Sequence, residues 1–119
     1  MKIKDMFKDA CESDKFRIDV FLEDDYAMLC FDAGTHGFGN SIDYSQIKKI
    51  ISEVDKDPYT LSLIDSDSMG ELTALLISGY MGDMEEDFTM QLVGGNFATD
   101  DEFTFEFIKQ NPEAKSTIH

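Results

Sequence analysis

Apolar residues recur along this chain at two different periods, and the changes between them divide it into elements. Ile3, Met6, Phe7, Ala10 and Cys11 fall at helical spacing, with Lys4, Asp5, Lys8 and Asp9 opposite them, which predicts a short amphipathic helix. From Lys15 the period becomes two: Phe16, Ile18, Val20 and Leu22 alternate with Arg17 and Asp19. The turn Glu23-Asp24-Asp25 then leads into Tyr26–Phe31, apolar on both faces as an interior strand is. Together these predict a hairpin. GTHGFGN (34–40) reads as a loop and is followed by a second helix. There Asp43 suits the N-cap, Gln46 falls at N3, Ile42 can staple to Ile47, and Ile47, Ile50, Ile51 and Val54 form the apolar stripe. Pro58 biases Asp57 to an extended conformation and closes that helix.

The second half reads as four strands: Tyr59–Ile64, Leu72–Tyr80, Phe88–Val93 and Glu102–Ile108. In the last two, Phe88, Met90 and Leu92 alternate with Thr89 and Gln91, and Phe103, Phe105 and Phe107 with Thr104 and Glu106, as expected of antiparallel strands with one buried face. Ser68-x-x-Glu71 has the form of a capping box, which would instead make 69–78 a helix; Thr73, Ile77 and the flanking turn signals favour strand. The expected order is α-β-β-α-β-β-β-β. This is an α+β domain over residues 1–110, a mostly antiparallel sheet of about six strands with two helices on one face. The polar, Pro112-containing stretch 111–119 is expected to be a flexible tail.

Composition fits such a domain: 119 residues, 42% hydrophobic, with two Pro. No apolar run is long enough for a membrane span and MKIKDMFKDACESD lacks the apolar segment of a signal peptide, so a cytoplasmic protein with reduced thiols is expected. Cys11 and Cys30 fall at core positions, and two Cys with one internal His at unrelated spacings exclude a zinc site. His36, in the glycine-rich loop, has a pKa range suited to general base work, but no nucleophile pairs with it; the loop matches neither phosphate-binding signature. No enzyme activity and no cofactor are expected.

Charge adds the distinctive feature. Asp and Glu number 25 against 10 Lys and Arg, a net of −15, and no cation occurs between Lys56 and Lys109. Direct binding to nucleic acid or anionic lipid needs cations that neutralise phosphate, so both are excluded as partners for this half. Net charge of this sign also serves solubility alone. Residues i and i+2 of a strand point the same way, about 6.6 Å apart. Asp83, Glu85 and Asp87, with Glu86 beside them, and Asp100 and Glu102, with Asp101 between, would therefore present rows of like charge that imitate a phosphate backbone toward a basic groove. The Asp65, Asp67 and Glu71 region begins like a calcium loop, with Gly70 in place, but Met69 and Leu76 stand where ligands belong. In a meander this turn would share an end with the 94–101 turn. Phe97 and Tyr80 are further candidates for exposed anchors.

In size and charge the chain is similar to small acidic inhibitors such as immunity, anti-restriction and anti-CRISPR proteins, a likeness with no motif behind it. It implies a non-enzymatic module docking on the basic surface of a nucleic-acid-processing protein such as a nuclease, through Asp83, Glu85, Glu86 and Asp87 or Asp100, Asp101 and Glu102. A small-ligand or calcium-binding domain and a scaffold subunit are the competing expectations. The sequence leaves the target and the oligomeric state open.

Overall fold

A computed structural model describes residues 2–34 and 36–110, so the expected tail at 111–119 lies outside the described residues. The chain forms α1 (Ile3–Ala10), β1 (Lys15–Leu22), β2 (Tyr26–Asp32), β3 (Gly37–Asp43), α2 (Tyr44–Val54), α3 (Pro58–Asp65), α4 (Met69–Gly82), β4 (Phe88–Gly95) and β5 (Glu102–Lys109). The class is α+β, but among the described residues there are five strands and four helices instead of about six and two.

The strands make one antiparallel sheet in the order β3-β2-β1-β5-β4. Phe16, Ile18 and Val20 of β1, Ala27, Leu29 and Phe31 of β2, and Phe103, Phe105 and Phe107 of β5 are buried on one face. They pack with Met6 and Phe7 of α1, Ile47 and Ile51 of α2, and Leu72 and Ile77 of α4. Stacked pairs, Phe16 on Phe107 and Phe7 on Tyr80, tie the strands and helices together. The other face of the sheet, carrying Arg17, Asp19, Met28, Cys30, Thr104 and Glu106, has no helix on it among the described residues.

Three expected elements are corrected. Tyr59–Ile64 is not a strand: α3 starts at Pro58, whose fixed φ suits the first helical position and whose missing N–H costs nothing there. Burial follows the helix: Thr60 and Leu63, three apart, are the buried pair while Tyr59 and Leu61 are exposed. Leu72–Tyr80 is likewise helix. Met69, Leu72, Thr73, Leu76 and Ile77 are buried at helical spacing, and Thr73 Oγ1 donates back to the Met69 carbonyl (2.6 Å). The strand reading failed because the exposed positions of α4, Leu75, Ser78, Gly79 and Gly82, carry no charge, so little polar contrast marks its period. Finally, 37–40 belong not to a loop but to β3, which satisfies the second edge of the interior strand β2. Gly39 fits there because a Cβ would lie 3.1 Å from the Leu29 carbonyl.

Smaller differences follow. Neither Asp43 nor Ser68 caps its helix through its side chain, although each is the N-cap residue. Val54, at the last position of α2, is exposed instead of completing the stripe. Cys30 lies on the open face, opposite Asp19 and Gly39, and not in the core. No helix among the described residues is long and apolar enough to cross a membrane.

One buried charge marks the open face. Glu106 accepts from Arg17 Nε at 3.0 Å and lies 3.5 Å from Lys15 Nζ, with its side chain 11% exposed. The Arg17 hydrogen bond holds its pKa below the ordinary 4.5, aided by Lys15 and opposed by burial. A carboxylate with a lowered folded pKa stabilises fully above the unfolded value and loses that contribution as pH falls through the folded one. Glu106→Gln is therefore expected to lower the urea midpoint at neutral pH and to converge with the parent protein well below pH 4.5. The same difference at both pH values would contradict the assignment.

Candidate functional site

The strand directions collect three segments at one end of the sheet: the β1–β2 turn at 23–25, the junction of β3 with α2 at 43–44, and the β4–β5 turn at 96–101. The α3–α4 corner at 66–68 comes to the same end, because the first turn of α4 packs on the β4–β5 turn. Gly70 makes that approach possible, since any Cβ there would overlap the Phe97 carbonyl oxygen and lie 2.9 Å from its carbon.

Tyr44 organises this end. Its N–H donates to the Asp25 carbonyl at 3.0 Å and its hydroxyl donates to the Glu23 carbonyl, so one residue at the start of α2 fixes the acidic turn between β1 and β2. It lines two adjoining clefts of about 300 and 580 Å³. Among the described residues the clefts expose Glu23, Asp24, Asp25, Asp43, Asp67, Glu71, Asp100 and Asp101, eight carboxylates, against Lys48 as the one cation in their walls. Lys48 pairs with Asp67, and Glu71 accepts from the Tyr59 hydroxyl at 2.9 Å. The Tyr44 phenol is pushed above its ordinary value of 10 by burial first, then by the charges of Asp101, Glu23, Asp24 and Asp25, a local record of the negative field.

Of the residues singled out from sequence, Glu102 lines neither cleft and makes no strand row with Asp100, because β5 starts only at Glu102, whereas Asp67, Glu71, Asp100 and Asp101 do meet here. Their meeting has a different cause from the meander expected, since a helical corner and not a β-turn brings 67–71 to the end. Asp65, the last residue of α3, lines neither cleft. Among the described residues no three His, Cys, Asp or Glu are grouped closely enough to hold a metal ion.

Asp83, Glu85, Glu86 and Asp87 stand at the opposite end of the sheet, where Phe88 begins β4 beside Lys109 at the close of β5. They do not form a strand row, because Asp83 caps α4 and β4 starts only at Phe88. Cations moderate them. Lys109 Nζ lies 2.9 Å from Glu86 and 3.5 Å from Asp14, and Lys4 and Lys8 line the same cleft as Asp83, Glu85 and Glu86. The Glu86 hydrogen bond holds the Lys109 pKa above its ordinary 10.5. Burial and the Glu86 charge push the Cys11 thiol, which lines that cleft, up to about 11, far from a reactive thiolate.

Phe97 and Tyr80 are not free anchors. Phe97 packs on Phe103 and Phe105, and Tyr80 stacks on Phe7 at 5.1 Å. Glu23, Asp24, Asp25, Asp43 and Tyr44 are the members that sequence reasoning passed over. The signal for the first three was the hairpin itself, whose turn falls at the same end of the sheet as the β4–β5 turn. No family model matches the chain, and neither curated proteins nor solved structures yield a match.

Proposed function

We propose that the protein is a non-enzymatic binding module that presents its acidic end to a basic surface of a nucleic-acid-processing protein, such as a nuclease, and blocks it. The observation that carries this reading is the crowding, among the described residues, of eight carboxylates around Tyr44 with a single lysine among them. In the free protein these charges repel one another, and a cationic partner relieves that repulsion while displacing bound counterions. The field supplies a rapid, salt-sensitive approach, and the clefts supply relief into which arginine or lysine side chains fit. The opposite end is the poorer candidate, since Lys4, Lys8 and Lys109 already moderate its acids.

Affinity capture from the native cell lysate at low and high salt tests the proposal. A variant combining Asp24→Lys, Asp25→Lys, Asp100→Lys and Asp101→Lys serves as control. The expected result is a nucleic-acid-processing protein held by the parent at low salt, weakened at high salt and absent from the variant. Capture of the same proteins by both would overturn the reading.

A further inference from the structure

We propose that β4 is a pairing edge through which two copies of this chain join, antiparallel and two-fold, into one continuous ten-stranded sheet. The inference is independent of the inhibitor reading. An edge strand displays unpaired backbone groups, and proteins ordinarily protect such edges with lysine, proline or other charge. At 29% charged residues an eight-residue segment of this chain averages about two charges, yet Phe88–Gly95 (FTMQLVGG) carries none and no proline. Its only interruption is the register shift between Leu92 and Gly94, which leaves Phe88–Leu92 regular.

The direction of the free groups follows from the ladder. Gln110 N–H donates to the Asp87 carbonyl at 2.8 Å, so Asp87 and Gln110 are a hydrogen-bonded pair, and by alternation Thr89 and Gln91 also turn their backbone groups to β5. Phe88, Met90 and Leu92 therefore point their N–H and C=O groups outward. Their side chains lie on the helix-bearing face and are only half-buried against the core.

This row is complementary to itself. With Met90 opposite Met90 of the second copy, Phe88 falls opposite Leu92 and Leu92 opposite Phe88, so each outward group meets its partner and half-exposed apolar side chains meet across the join. On the open face Thr89 falls opposite Gln91. Charge favours the antiparallel sense: it sets the acidic end of each copy beside the opposite end, where Lys4, Lys8, Lys15 and Lys109 moderate Asp83, Glu85 and Glu86, whereas a parallel pairing would place the two unmoderated acidic ends together. The other edge, β3, is less suited, because Gly37 and Gly39 offer no side chains to a neighbour.

Sedimentation equilibrium over a wide concentration range, joined to amide hydrogen exchange, tests the proposal. The parent protein is expected to pass from the 13.5 kDa chain to twice that mass, with the Phe88, Met90 and Leu92 amides gaining protection as it does so. Met90→Pro removes an outward N–H that no bond among the described residues uses, and Gln91→Lys adds a guarding charge opposite Glu106. Each is expected to weaken the dimer at least tenfold while the monomer's circular dichroism is retained; if the proline variant does not fold, the lysine variant decides. A monomer at every concentration, a dimer without protection of those three amides, or a dimer unchanged in Gln91→Lys would overturn the proposal.

Discussion

Gly70→Ala is expected to destabilise the protein by about 3 kcal/mol, near the upper range for forcing atoms into a packed site, and to lower Tm by roughly 10 °C. In an ordinary helix the same change is favourable, because alanine has the better propensity and the less disordered unfolded state. The sign reverses here because the new methyl would strike the backbone of Phe97, which cannot swing aside as a flexible side chain would. Gly79 provides the contrast within α4. A Cβ there meets nothing within 4 Å, so Gly79→Ala is expected to stabilise by about 0.5–1 kcal/mol. Thermal unfolding of the two variants checks both signs at once. Gly70→Ala also separates α4 from the 96–101 turn, and so should weaken the proposed acidic site without altering any of its charges.

Reversal of Asp24, Asp25, Asp100 and Asp101 to lysine is expected to slow association with the captured partner by about 10- to 100-fold at low salt and to flatten its salt dependence, with a smaller change in dissociation. Stopped-flow or surface-based kinetics across a salt series would measure this. Titration of the Tyr44 phenol supplies an internal check. Its pKa should fall back toward 10 as the Asp101, Asp24 and Asp25 charges are removed, while the part due to burial persists. Reversal of Asp83, Glu85 and Asp87 should leave the on-rate nearly unchanged. An unchanged on-rate in the first variant, or a slowed one in the second, would move the contact away from the end around Tyr44.

The errors of the sequence reading were local and physical. Pro58 reads as the end of the second helix, yet it also starts α3, because proline suits the first helical position as well as it stops a helix. In 69–82 the capping-box form was the better guide even though Ser68 makes no side-chain cap, since the true signal was apolar burial every three to four residues. The loop reading of GTHGFGN followed its glycines. Strand β3 exists because the sheet's interior strand required a neighbour, and glycine clears the close approach to Leu29.

By itself the sequence determined the α+β class, the hairpin of β1 and β2, the phenylalanine row of β5 in the core, and a half of the chain with no cation between Lys56 and Lys109. These depend on periodicity and composition, which are local. Which acids act together was decided by the tertiary structure alone. Strand direction and the close contact at Gly70 bring the turns at 23–25, 66–68 and 96–101 to Tyr44, while the ion pair of Lys109 with Glu86 moderates the acids at the far end. Electrostatic fields depend on distance through space, and residues as far apart in the chain as Glu23 and Asp101 acquire that distance only when the chain folds.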